Sequence, residues 1–273
     1  MKPKLTILIA CFNDQDFIEV SLYALSKLTK NPYQVYILDN GSKLKNYEKL
    51  KRICSKYNNV FLERKETDLR GSLAHGTAFN YLIKKVDTPY FSILDADATW
   101  LKKNWDEILI NKLKGNIKVI GTQAPINKIL QKPLDFPLMF AILFEAKTFK
   151  KLNIDFRPKN LVKLQDTGYE IRKKFLGAGY RGANIEIKNT REFHNGPFRK
   201  LIVAEYYLNG GEKIFASHFG RGATLGICKY GTGHGVSSIY KIPYVSIPLR
   251  YIKGYMEKQK WIKICKKIID EQI

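Results

Sequence analysis

Two carboxylates, Asp95 and Asp97, stand one residue apart at the end of a short apolar run, residues 90–94. The run, entered through Pro89 and Tyr90, reads as a buried strand. In an extended chain, residues i and i+2 point to the same side. Both carboxylates are therefore expected to face one point beyond the carboxyl end of the strand. Open α/β sheets place their ligands there. Two hard oxygen donors at this spacing suit a divalent cation, Mg²⁺ or Mn²⁺, carrying a phosphate substrate. A solvated turn has the same Asp-x-Asp composition, so the surrounding chain has to decide between the two.

The elements that would position these carboxylates are legible upstream. Residues 5–10 form an apolar, β-rich run, and residues 17–28 carry Phe17, Val20, Leu22, Leu25 and Leu28 at helical spacing. A second strand is expected over 35–38, a helix over 47–57 and a third strand over 59–62. A helix over 72–86 then leads into the strand that ends at Asp95. Strands alternating with helices predict a parallel sheet with right-handed crossovers. Beyond Asp97, helices are expected over 104–113 and 167–176, and strands over 118–122, 139–144 and 183–188. Residues 210–235 are glycine-rich and read as irregular. Residues 250–273 read as a basic amphipathic helix, with Tyr251, Tyr255, Ile262, Cys265 and Ile269 on one side.

Composition narrows the class. The chain has 273 residues and is 45% hydrophobic, enough for a sizeable core. Cys11, Cys54, Cys228 and Cys265 are scattered without a C-x-x-C pair, which argues for a reducing compartment and against a zinc or disulfide framework. The first apolar run is short and meets Asn13, Asp14 and Asp16 at once, unlike a signal peptide. The run 134–144 contains Asp135 and Pro137 and is too short to span a bilayer. A cytoplasmic protein is expected, soluble or peripheral to a membrane. The net charge of +22 implies polyanionic company or a general lysine habit.

Four constellations fall at strand ends or the helix that follows. They are Ala10-Cys11-Phe12-Asn13-Asp14, Asp39-Asn40-Gly41-Ser42, the stretch from Arg70-Gly71-Ser72 to Asn80, and Asp95-Ala96-Asp97. In this order the set resembles the family 2 glycosyltransferases of the GT-A fold. The segments that carry the likeness are Ile7 to Asn13, Leu38 to Ser42, Gly76 to Asn80 and Ile93 to Asp97. The likeness is good over residues 4–100 and weaker to about 195.

The resemblance implies a GT-A catalytic domain over 1–200, with a nucleotide-binding half to residue 100 and an acceptor-side half beyond it. Residues 201–273 would be an extension of the same domain. It implies Mn²⁺ or Mg²⁺ as cofactor and a nucleotide-sugar donor, a UDP-sugar. Asp39 would accept the uracil N3–H; Asp-Asn-Gly is also strong turn chemistry. Cys11, Asn13, Asp14 and Asn80 would line the donor pocket, and Asp14 would otherwise cap the next helix. Asp95 would reach the ribose or metal-bound water, and Asp97 would ligate the cation. Arg70 and Arg221 are phosphate candidates, Arg221 because a guanidinium pairs two oxygens at once. His194 is a candidate further metal ligand or a packed histidine, and His75 reads as structural. Asp166, just outside a helix that Thr167 and Glu170 would cap, is the expected general base. By composition, residues 218–222 and 231–235 read either as a glycine-rich lid or as an ordinary irregular loop.

Two other classes fit less well. A sugar-1-phosphate nucleotidyltransferase would show a Gly-rich signature with Arg and Lys after the first strand, and Cys11-Phe12-Asn13-Asp14 lacks it. A basic nucleic-acid-binding module would explain the charge, but carboxylates at three strand ends repel phosphate unless a metal intervenes. The acceptor would be a glycan, a lipid-linked sugar or a protein hydroxyl. The basic tail would either dock on an anionic membrane or complete the core.

Overall fold

The computed structural model describes residues 2–125, 132–160, 165–225 and 246–273. Strand β1 (Leu5–Cys11) is buried along its whole length. Its alternating side chains divide the interior. Leu5, Ile7, Ile9 and Cys11 enter one apolar layer, and Leu8 and Ala10 enter the other. A strand covered on both faces needs apolar residues throughout, which explains its unbroken pattern.

Helix α1 (Gln15–Leu28) covers the first face with Phe17, Val20, Leu25 and Leu28. Then follow β2 (Tyr33–Asp39), α2 (Leu44–Cys54), β3 (Val60–Arg64), α3 (Gly71–Leu82) and β4 (Tyr90–Leu94). Strand β1 pairs in parallel with β2 and β4, and β2 with β3. The parallel register leaves the carboxyl ends of β1, β2 and β4 at one edge, with Cys11 opposite Asp39.

The chain continues through β5 (Ala98–Trp100), α4 (Trp105–Ile110), β6 (Ile117–Thr122), β7 (Leu138–Glu145) and α5 (Ala146–Lys151). Last come α6 (Glu170–Gly177), β8 (Arg181–Asn189), β9 (Ala204–Tyr207), β10 (Ile214–His218) and α7 (Ser246–Asp270). The ten strands run in the order β3-β2-β1-β4-β7-β6-β8-β9-β10-β5. The sheet is parallel from β3 to β4. Past β4 only the β6–β8 pairing is parallel, and the rest are antiparallel.

Several elements depart from the expectation. Residues 214–218, placed in an irregular stretch, are a buried strand. Strands β5 and β9 and helix α5 are three to six residues long, too short to show a period. Helix α3 tightens into a 3₁₀ turn over Ile83–Lys85 instead of running on. The helix expected from Thr167 begins at Glu170. The Thr167 hydroxyl donates to the Ser72 carbonyl at 3.1 Å, and the Glu170 carboxylate pairs with Lys159 and Lys174, so no capping box forms.

Helix α7 closes the first face. Trp261, Cys265 and Ile269 are fully buried, with the Trp261 ring edge-on to Phe17 at 5.6 Å. Its Nε1 donates to Ser217 Oγ at 2.9 Å, tying the helix to β10. Tyr251 and Tyr255, expected on the apolar side, stand exposed.

Candidate active site

Asp95 leaves the end of β4 with its N–H bonded to the Phe140 carbonyl at 2.8 Å. The chain then turns, the Ala98 N–H donating to the Asp95 carbonyl at 2.9 Å. Asp97 thus lies in a turn and not in the extended chain expected for it. The turn delivers β5 antiparallel to β10, with Ala98 opposite His218. This register sets His218 Nε2 3.1 Å from Asp97 Oδ1 and 3.8 Å from Asp95 Oδ2. One ligand atom from each of Asp95, Asp97 and His218 lies within 4.8 Å of the others.

The two carboxylates are held differently. Asp97 Oδ2 accepts the N–H groups of Arg221 and Gly222, both at 2.7 Å. Gly222 has φ +50°, a left-handed conformation that glycine adopts without strain. Burial pushes the Asp97 carboxyl up, but His218 and the two backbone donors outweigh it and hold it well below the usual range. Asp95 is raised well above that range by burial and then by the charge of Asp97. Its Oδ1 is buried without a hydrogen-bond partner. A buried, orphaned carboxylate oxygen is costly unless a cation meets it. Two carboxylates and an imidazole fit a divalent cation such as Mn²⁺ or Mg²⁺.

His194 does not belong to this group. It lies after β8 and lines a separate cleft with Arg199, Lys253 and Glu257. Among the described residues, the imidazole that joins the two aspartates is His218. The sequence signal was present: residues 214–217 form a short, largely apolar run ending in a histidine, hidden by the flanking glycines.

A cavity of about 500 Å³ opens beyond the ends of β1 and β4, and Cys11, Asp14, Arg70, Asp95, Asp97 and Asp166 all line it. Burial pushes the Cys11 thiol up, so it is a neutral wall. Asp14 is buried with an unpartnered Oδ1, and burial followed by the Asp97 charge raises its carboxyl. Arg70 sits on the rim with its Nη1 3.3 Å from the Thr67 carbonyl. Phe12 is 47% exposed on the same wall, an aromatic left for a ligand to cover.

Asp39, Asn13 and Asn80, expected at the donor, make hydrogen bonds within the protein. Asp39 is fully buried, its carboxylate accepting the Ser42 N–H at 3.1 Å and the Ser42 hydroxyl. Ser42 Oγ in turn accepts the Asn13 N–H at 2.7 Å. Asp39 therefore builds the turn that joins two loops and does not line the cavity. Asn13 has φ +60° and shares this junction, its Oδ1 accepting from Lys43 N and Asn46 Nδ2. It borders an adjoining cavity that also reaches Asp97 and His218. Asn80 faces away from the site, donating to Asp155 Oδ1 at 2.6 Å and accepting from Phe156 N at 3.0 Å. Gly76 explains that contact: a Cβ there would meet the Phe156 carbonyl at 2.7 Å, so only glycine lets α3 approach so closely.

Asp166 lines the same cavity. Its Oδ1 accepts from Ser72 Oγ at 2.6 Å and from Thr167 N at 2.8 Å, and Lys132 Nζ is 3.2 Å from Oδ2. Burial raises the carboxyl, but Ser72, Lys132 and the backbone donor together lower it further. His75, read as structural, is placed between the two halves of the site. Its Nδ1 is 3.3 Å from Thr167 Oγ1 and its Nε2 is 3.6 Å from Asp95 Oδ1. Burial pushes the imidazole down to about 4, so it is neutral at pH 7.

Residues 6–172 match the model of glycosyl transferase family 2. The chain belongs to this family. Among solved structures it is similar to the mannosyltransferase PcManGT from Pyrobaculum calidifontis in complex with GDP-Man and Mn²⁺. The identity is 17% and the TM-score 0.54, over 67% of this chain and 55% of that one. It is also similar to S. aureus TarS 1–349 in complex with UDP-GlcNAc, at 14% identity and TM-score 0.46, over 63% and 52%. The chain spans about half the length of these structures, and at such identities the likeness is one of fold. No curated protein matches the sequence.

In this family 2 chain the last helix is tied to the site by an ion pair, and its Tyr251 lines the adjoining cavity with Asp95, Asp97 and His218. Arg221, expected at a donor phosphate, turns its guanidinium to Glu257 on α7, with Nη1 2.6 Å from Oε2 and both side chains buried. Its backbone, not its side chain, meets Asp97. Breaking a buried pair from one side leaves a buried charge poorly compensated. Glu257→Gln is therefore expected to lower stability by about 3 kcal/mol in urea unfolding and to weaken Mn²⁺ binding through the 221–222 turn. Unchanged midpoints and metal affinity would show that the pair does not brace Asp97.

The proposed lid falls partly outside the described residues. Residues 231–235 lie in that stretch, as does Cys228. Residues 218–222 instead carry the imidazole and the backbone donors that meet Asp97.

Proposed function

We propose that this protein transfers a sugar from a nucleotide-sugar donor, a UDP-sugar, to a hydroxyl acceptor, with a divalent cation and with inversion at the anomeric carbon. The observation that carries the reading is the Asp95–Asp97–His218 cluster sharing one cavity with the carboxylate of Asp166. Asp95, Asp97 and His218 would hold the cation, whose chemistry is to offset charge on the leaving nucleoside diphosphate. The backbone donors at Asp97 Oδ2 keep that carboxylate ionised and turned to its task. Arg70, on the rim, is positioned for a phosphate, and Phe12 offers a face for the base.

Asp166 accepts the proton of the acceptor hydroxyl. Ser72 and the Thr167 N–H fix its Oδ1 and so set the direction of the carboxylate. A single base acting across the sugar from the diphosphate leads to in-line displacement, hence inversion. The acceptor is a hydroxyl of a glycan, a lipid-linked sugar or a protein, reached from the Asp166 side of the cavity.

A panel of UDP-, GDP- and dTDP-sugars, scored for nucleoside diphosphate release with Mn²⁺, Mg²⁺ or chelator, tests the reading. Metal-dependent release from a UDP-sugar is expected. Release that ignores chelator overturns the metal role. Pyrophosphate released from a nucleoside triphosphate and a sugar-1-phosphate would identify a nucleotidyltransferase instead.

A further inference from the structure

We infer that the outer face of α7 is a docking surface for an anionic lipid bilayer. Helix α7 has 25 residues, and its second half is anchored by Trp261, Cys265 and Ile269. Its first half exposes large apolar side chains: Tyr251, Ile252, Tyr255 and Met256 are each about half exposed. At 100° per residue, Ile252 and Met256 fall on the side of the helix opposite Trp261 and Cys265, and Tyr255 lies on its flank. Further along the same outer side come Lys263, Lys266 and Lys267, all exposed. The outer face thus passes from apolar to cationic along one line.

The charge pattern argues for lipid as the occupant. Between residues 246 and 269 the only acidic side chain is Glu257, which is buried against Arg221. Acidic side chains return to the outer face only at its end, with Asp270 and with Glu271, whose Oε1 lies 3.7 Å from Lys267 Nζ. A protein partner covering an apolar patch needs no such uniform sign, whereas an anionic interface rewards both features at once: apolar side chains enter the acyl boundary and lysines meet the headgroups. Beside the helix, a cleft of about 500 Å³ joins Arg199 and Lys200 to Lys253 and Lys260 over Ile252 and Met256. It extends the same cationic, apolar-floored surface. Among the described residues no helix is long and apolar enough to cross a membrane, so attachment through this face would be peripheral.

The inference stands apart from the reading of the active site, and one experiment keeps the two separate. Co-sedimentation is measured with vesicles of phosphatidylcholine alone and with added phosphatidylglycerol. The full chain is compared with the triple variants Ile252→Ser/Tyr255→Ser/Met256→Ser and Lys263→Glu/Lys266→Glu/Lys267→Glu. Both variants change exposed residues, and circular dichroism verifies that they fold. The unaltered chain is expected to bind only the phosphatidylglycerol vesicles and to leave them at high salt. The lysine variant is expected to lose about a hundredfold in partitioning, and the apolar variant to lose about tenfold or more. UDP binding, measured without vesicles, should be the same in all three. Absence of salt-sensitive vesicle binding overturns the inference, as does binding that either variant leaves unchanged. So does a dimer in sedimentation velocity that the apolar variant abolishes, since a second copy would then cover the face. Loss of UDP binding in every form, with vesicle binding intact, would count against the active-site reading alone.

Discussion

Asp97→Asn is expected to reduce kcat/KM by about a thousandfold or more, a loss of several kcal/mol, because under the proposed mechanism its charge would help hold the cation. Asparagine keeps the shape of the side chain, and its Oδ1 still accepts from the Arg221 and Gly222 N–H groups. The fold should therefore persist. Direct titration with Mn²⁺ is the second measurement, and its affinity should fall with the activity. Because the Asp97 carboxyl is lowered in the folded chain, its ionised form stabilises the protein above the ordinary carboxylate range. That contribution is lost as pH drops through the lowered value. Asp95 is raised, so metal affinity should weaken on acidification, as its carboxyl takes up a proton first. Full turnover by Asp97→Asn, or by the unaltered chain in excess chelator, would remove the metal from the mechanism.

Asp166→Asn is expected to lower kcat by about a hundred- to ten-thousandfold while the affinity for UDP stays within about threefold. Under the proposed mechanism the residue acts on the acceptor and not on the nucleotide, and it lines the same cavity as Asp95 and Asp97. Its carboxyl is held below the usual range, so it remains a base through neutral pH and into the mildly acidic range. The pH profile of kcat should therefore be flat on that side, dropping only in stronger acid. A large loss of UDP affinity with kcat unchanged would reassign Asp166 to the donor. Ser72→Ala offers a finer check: removing the hydroxyl leaves Oδ1 held by the Thr167 N–H without deleting the base, and the loss should be smaller than for Asp166→Asn.

The sequence alone determined the β1-to-β4 half of the molecule and the place where its chemistry gathers. Strands and helices there are long enough to show their period, and the parallel pairing that follows from their alternation puts Cys11, Asp39 and Asp95 at one edge. Asp95 and Asp97 stood out as two carboxylates one residue apart at the end of an apolar run, a spacing that a plain turn shares. The buried half of α7 was legible for the same reason, since Cys265 and Ile269 keep helical spacing. What the sequence could not decide was which of several plausible side chains turns inward. Asp39 goes to Ser42 and Asn80 to Asp155, because a nearer backbone or side-chain partner was available only after folding. His218 could not be preferred to His194 from local pattern, since its role depends on β5, three residues long, pairing with β10 some 115 residues later. His75 comes within 3.6 Å of Asp95 on α3, which passes close to the chain at Phe156 beside Gly76. The Arg221 guanidinium is paired with Glu257, a partner 36 positions away on the last helix. Local pattern shows which faces of the chain must be buried, because burial follows a period. Which polar groups meet is decided by long-range pairing, because a hydrogen bond depends on a few tenths of an ångström that only the assembled sheet provides.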